Sequence, residues 1–219
     1  MVRKLFVWDL HGTLEEGNEM AVVIRSNLAL ENYSFVERMD LPFCVARTGK
    51  PWPQYFRDLL PLGTSEGVIT KLHDWCKTSD RTRWDIVRGY TKPNVNALEV
   101  LSAIRGAGHE QILISVTTPE ALDKYIELLG FERFFPDGRC FGICGSGLSK
   151  MEVLDDFVGK NRGTGRIIGI GDSYHDLLGD NNFLYAHPDG RAFREVPETF
   201  VKPYERVRDL SLVLKSLNG

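Results

Sequence analysis

Six residues of this sequence have types and spacing that can do chemistry together: Asp9, His11, Ser115, Lys150, Asp172 and Asp176. All but Lys150 stand at or just past the end of a short apolar run. The run Lys4–Trp8 leads into Asp9-Leu10-His11-Gly12-Thr13, and Gln111–Val116 carries Ser115 near its end. Lys150 opens a helical stretch shortly after the run Arg139–Cys144, and Arg166–Ile170 leads into Gly171-Asp172-Ser173-Tyr174-His175-Asp176. If these runs are strands of one open parallel sheet, ligands bind beyond their carboxyl ends. The same rim then receives three carboxylates, a hydroxyl and an ammonium. Grouped carboxylates take a hard divalent cation, while an ammonium and a hydroxyl hold an anionic group.

The elements that must position these groups can be read from the apolar periodicity. The runs named above, together with Phe183–Ala186, are short and rich in Ile, Val, Leu and Phe, as strands covered on both faces should be. Helices are predicted between them over Asn94–Ala107, Pro119–Leu129 and Lys150–Val158, with a last one over Tyr204–Leu217. Pro93 and Pro119 stand where a helix begins, and Gly108, Gly130 and Gly159 where one stops. The alternation implies an α/β domain with a doubly wound parallel sheet. The stretch from about Glu16 to Trp84 breaks it. That stretch offers no buried strand and reads as helices over Met20–Arg38, Pro53–Leu60 and Ser65–Lys77, between linkers at Glu15–Glu19 and Arg83–Lys92. The expected organisation is a core of residues 1–15 and 88–219 with a small helical cap over 16–87.

Taken in order, the Asp-x-His-Gly-Thr segment, Ser115, Lys150 and the Gly-Asp-Ser-x-x-Asp segment resemble the four motifs of the haloacid dehalogenase superfamily. The likeness covers nearly the whole chain and comes nearest to the phosphoglycolate phosphatase-like members with a cap after the first strand. It implies a Rossmann-like core and a Mg²⁺-dependent phosphohydrolase. Asp9 would be the nucleophile. The metal would be held by Asp9, Asp172, Asp176 and the backbone carbonyl of His11. Ser115, Lys150, Gly12 and Thr13 would hold the phosphoryl group. Physical chemistry agrees with these roles. A phosphate monoester is dianionic, so a carboxylate nucleophile needs countercharge to approach it, and Mg²⁺ among oxygen ligands supplies that.

His11 departs from the pattern, because the phosphatases carry an Asp there as general acid and base. A histidine titrates near neutrality and can move the same proton. It can equally mark a slow or repurposed protein that mainly binds phosphate. A phosphotransferase or mutase, passing the phosphoryl group to a sugar, is a third reading. Dehalogenation fits poorly, since it has no use for the paired acids Asp172 and Asp176.

The remaining candidates are weaker. Arg47-Thr48-Gly49-Lys50 forms a cationic loop in the predicted cap, where Arg47 and Lys50 would read the substrate's leaving group or else be ordinary solvated charges. Trp52 and Tyr55 read as anchors of a cap helix, His175 as a surface residue, and His187-Pro188-Asp189-Gly190 as a turn at the rim. A net charge of −3 over 219 residues offers no field for nucleic acid. A small phosphorylated metabolite needs none. The opening apolar run is too short for a secretory signal, and no stretch is long enough for a membrane span. Cys140 and Cys144, if on one intact strand, lie about 13 Å apart, too far for a disulfide. The four cysteines therefore read as free thiols of a cytoplasmic protein, which would be a monomer or a homodimer.

Overall fold

The computed structural model describes residues 3–47, 50–161, 165–186 and 192–218. It divides into two compact units, one formed by Met1–Glu16 with Pro93–Gly219 and the other by Gly17–Lys92. The chain runs through β1 (Leu5–Trp8), β2 (Glu15–Glu16), α1 (Asn18–Asn32), α2 (Leu41–Val45), α3 (Trp52–Leu59), α4 (Glu66–Thr82), α5 (Trp84–Tyr90) and β3 (Lys92–Pro93). It continues through α6 (Ala97–Gly106), β4 (Glu110–Ser115), α7 (Pro119–Leu129), β5 (Cys140–Gly142), α8 (Lys150–Lys160), β6 (Ile167–Gly171), β7 (Asn181–Tyr185) and β8 (Tyr204–Val207). 3₁₀ turns lie at Tyr174–Asp176, between β6 and β7, and at Leu210–Asn218, after β8.

The first unit is built on a six-stranded sheet in the order β5-β4-β1-β6-β7-β8, with every neighbouring pair parallel. This is the doubly wound α/β arrangement. From β1 the chain steps outward to β4 and β5, then returns to the other side of β1 at β6. The reversal opens a crevice at the carboxyl ends of β1 and β6. Alternation along the strands sorts the two faces. Leu5 and Val7 of β1 join Ile112 and Ile114 of β4 in a cluster with Val153, Leu154 and Phe157 of α8. Trp8 instead donates from its indole to the Gln111 amide oxygen (3.1 Å), and Gln111 donates onward to the Leu101 carbonyl of α6 (3.0 Å).

The second unit is helical. Ala29 and Leu30 of α1 pack with Phe56 of α3, Leu60, and Ile69, Leu72 and Cys76 of α4. Trp52 and Tyr55 serve this packing: the Trp52 indole donates to the Ser26 hydroxyl (2.9 Å) and Tyr55 is buried beside Val23, Met39 and Cys44. Among the described residues no helix is long and apolar enough to cross a membrane.

Several expectations need correction. The last predicted helix is not one: Tyr204–Val207 is a strand paired with β7, followed by the 3₁₀ turn from Leu210. Its charged outward residues mimic a polar helix face, but Tyr204-Glu205-Arg206-Val207 buries only Val207 fully, as an edge strand can. Helix α1 stops at Asn32 rather than Arg38, because Ser34 takes φ 61° and Phe35 bonds back to the Leu30 carbonyl. The stretch taken as the second linker contains α5. Gly159 lies inside α8, and Cys144 lies beyond β5 and is exposed.

Replacing Gln111 by Leu leaves the Trp8 indole N–H and the Leu101 carbonyl without their partner in a buried place. We expect a loss of about 1–3 kcal/mol of stability, read from urea unfolding; a variant as stable as the parent refutes the bridging role.

Candidate active site

Asp9 follows β1 directly, and its backbone N–H extends the β1–β6 ladder by one bond to the Ile170 carbonyl (2.9 Å). Asp172 follows β6 in the same way. The two carboxylates therefore stand side by side at the reversal point because their strands are neighbours. Asp176 arrives by a different route. It lies in the 3₁₀ turn capped by Ser173, whose N–H donates to Asp176 Oδ2 (3.0 Å). A Cβ on Gly171 would fall 2.1 Å from the Asp176 Cβ, so the absence of a side chain there lets the turn fold back onto β6. Ligand oxygens of Asp9, Asp172 and Asp176 lie within 4.8 Å of one another, the one such acidic cluster among the described residues. That spacing and an all-oxygen donor set suit a hard divalent cation.

Lys150 bridges two of the three acids. It is the first residue of α8, fixed by a capping box in which Ser149 and Glu152 satisfy each other. Its Nζ donates to Asp9 Oδ1 and Asp176 Oδ1, each at 2.6 Å, with all three groups buried. A cation at a helix N-terminus opposes the helix dipole. Burial also works against its charge, but the fields and hydrogen bonds of Asp176 and Asp9 outweigh both, and the Lys150 pKa is raised. Burial raises the carboxyl of Asp176 too, against the pull of Lys150. Asp172 is pushed up to about 8, first by burial and then by the negative charge of Asp9 and Asp176. Its countercharge is Arg194, whose Nη2 lies 2.8 Å from Asp172 Oδ2.

The loop after β1 is fixed from inside. Thr13 is fully buried and its hydroxyl reaches Asp9 Oδ2 at 3.4 Å, while its N–H bonds to the Leu10 carbonyl. Gly12 takes φ +77°, and a Cβ there would sit 2.6 Å from Asp172 Oδ2. Its N–H donates to Glu15 Oε1 (3.3 Å). The N–H groups of Gly12 and Thr13 are thus engaged within the loop. What Gly12 provides is room for Asp172. His11 Nδ1 lies 3.0 Å from the same Glu15 oxygen, and its ring meets Tyr125 of α7 edge-on at 4.9 Å. Glu15 itself is buried. Asn94 latches the far end of the loop, donating from its side chain to the Thr13 carbonyl (2.6 Å) and from its backbone to the Leu14 carbonyl (2.9 Å), while accepting from the Tyr185 hydroxyl.

Ser115 ends β4, the other neighbour of β1. It is fully buried, and among the described residues its hydroxyl has no hydrogen-bond partner. A buried orphan hydroxyl is costly unless a ligand satisfies it. Arg47 and Lys50 belong to the helical unit and are engaged there. Arg47 bonds to Asp58 (2.9 Å) and lies over the Phe43 ring, and Lys50 reaches the same carboxylate at 3.7 Å. Thr48, Gly49 and His187–Gly190 lie outside the described residues. His175 is exposed and stacks on Tyr174 (3.9 Å between ring centres).

Sequence reasoning missed Arg194, Glu15, Asn94 and Tyr125. Glu15 stands four residues after His11, within reach on a tight loop, and was legible as a partner. Arg194 was not, because it reaches the site only through the path the chain takes after β7.

No family model and no curated protein matches the sequence. Solved structures do match the fold. Protein Tyrosine Kinase A of Mycobacterium tuberculosis superposes with a TM-score of 0.74 at 20% identity, over 100% of this chain and 99% of that one. A haloacid dehalogenase-like hydrolase from Streptococcus pneumoniae gives 0.69 at 14% identity, over 98% of both chains. A predicted phosphoglycolate phosphatase from Haemophilus somnus gives 0.70 at 15% identity, over 98% of this chain and 97% of that one. The chain has the fold of the haloacid dehalogenase-like hydrolases.

Proposed function

We propose that this protein is a Mg²⁺-dependent phosphohydrolase that cleaves a small phosphorylated metabolite through an aspartyl-phosphate on Asp9. The observation that carries this reading is the convergence of Asp9, Asp172 and Asp176 within 4.8 Å, with Lys150 bonded to two of them. The orphan hydroxyl of Ser115 on the strand beside Asp9 supports it, as does a fold shared with proteins named phosphatases. Asp9, Asp172 and Asp176 would hold the ion, which supplies the positive charge that lets a carboxylate meet a dianionic ester.

The remaining work falls to side chains of the chain itself. Asp9 attacks phosphorus in line as the bond to the leaving oxygen breaks. Lys150 holds Asp9 aimed, and Ser115 donates to a phosphoryl oxygen. His11 passes a proton to the departing oxygen. It then takes one from the water that attacks the aspartyl-phosphate, releasing phosphate and restoring Asp9. Glu15 at Nδ1 holds the ring in place for this exchange.

The first test is release of phosphate from an aryl phosphate and a panel of phosphorylated metabolites with MgCl₂. We expect Asp9→Asn to lose about a thousandfold or more in kcat, and His11→Ala about a hundredfold or more, with Glu15→Gln falling between His11→Ala and the parent. Tight phosphate binding without turnover under any divalent metal would instead identify a phosphate-binding protein. His11→Ala turning over as fast as the parent removes the acid/base role.

The second test concerns pH. The Asp172 carboxyl, near 8 when folded, keeps its proton where the unfolded chain has lost it. Its contribution to stability is therefore largest below about pH 4 and declines as pH rises towards 8. Ion binding must displace that proton, so we expect the Mg²⁺ Kd to fall by up to about tenfold per pH unit between 6 and 8. Asp172→Asn should melt higher than the parent at pH 8 without metal and lose the Mg²⁺-induced rise in Tm. A pH-independent Mg²⁺ affinity measured by calorimetry contradicts this account.

A further inference from the structure

Asp172 differs from the other two acids in how it is countered. Asp9 and Asp176 share the buried Lys150, whereas the ion-pair partner of Asp172 is Arg194, from the segment beyond β7. The pair is lopsided. Arg194 is 30% exposed and Asp172 only 14%, so the guanidinium lies on the solvent side of the carboxylate. The Gly12 backbone also lies close to that oxygen, since a Cβ there would be 2.6 Å away.

Formal charge indicates what such an arrangement does. With all three carboxylates ionised, as ion binding requires, Lys150 and Arg194 leave the cluster one negative charge. A divalent cation among them turns that into one positive charge, and the guanidinium is then repelled by the ion and less needed by Asp172. A dianionic phosphoryl group arriving next needs donors on the solvent side. A planar guanidinium, weakly hydrated and forked, matches its oxygens.

We propose that Arg194 is a phosphoryl-binding residue coupled to the metal: it pairs with Asp172 until a divalent cation engages the carboxylates, and then turns its guanidinium to the phosphoryl oxygens. The inference rests on the phosphohydrolase reading. Coupling of this kind is reciprocal, so phosphate and Mg²⁺ each tighten the binding of the other. It also gives Arg194 two effects of opposite sign, weakening Mg²⁺ alone and strengthening phosphate in the presence of Mg²⁺. A residue that merely props Asp172 in place cannot produce both.

The test is calorimetric titration of the whole chain with MgCl₂ alone, then with inorganic phosphate at saturating Mg²⁺. For Arg194→Gln we expect the Mg²⁺ Kd to fall about fivefold and the phosphate Kd to rise about tenfold. Arg194→Lys keeps the charge but not the fork, so its Mg²⁺ Kd should stay near the parent's while its phosphate Kd is intermediate. Arg194→Gln with unchanged or weaker Mg²⁺ binding, or with unchanged phosphate binding, overturns the proposal and leaves the phosphohydrolase reading standing. A parent chain that binds no Mg²⁺ at any pH overturns both.

Discussion

Three carboxylates crowded within 4.8 Å in a mostly buried place repel one another, and the surrounding structure is arranged around keeping them there. The buried ammonium of Lys150 is the main counterweight. Breaking one arm of such a buried pair costs about 3–5 kcal/mol, so Asp9, Lys150 and Asp176 form one unit that is hard to disassemble. Its position follows from topology. Strand β1 is flanked by β4 and β6, and the residues just past these three strand ends have no alternative but to share a rim. The helix that delivers Lys150 is pinned by its own capping box, independently of the acids it serves.

Much of this was legible in the sequence. The strands β1, β4, β5, β6 and β7 announce themselves as short apolar runs, and the acids and hydroxyl stand at or just past the ends of three of them. Helix α7 is bounded by signals that the backbone obeys, with Thr118 capping at the start and Gly130 in a left-handed conformation at the end. What failed did so for local physical reasons. Strand β8 is an edge strand whose polar outer residues resemble an exposed helix face. The end of α1 is set by Ser34 at positive φ, a role for which glycine or asparagine is the usual signal. Helix α5 hides in a segment with too few buried residues to show a period.

Within the site, direct contacts at short sequence separation could be anticipated and long-range ones could not. His11 and Glu15 are four residues apart and meet; Asp172 and Arg194, which also meet, are separated in sequence by the whole of β7. Gly12 illustrates a subtler limit. A glycine in a loop that should face a phosphate suggests exposed N–H groups, yet here its N–H is engaged by Glu15 and its missing side chain makes space for a carboxylate. Residue type restricts what a position can do, and the neighbours decide which use is made of it.

Asn94 has a consequence of another kind. By bonding to the carbonyls of Thr13 and Leu14, it holds together the two points where the chain leaves the sheet unit and returns to it. The entropy of closing a loop grows only logarithmically with its length, and here its ends are already tied. The sheet unit is thereby largely indifferent to what is threaded between them. Helices can be lengthened, replaced or recruited from elsewhere at little expense to the carboxylate cluster.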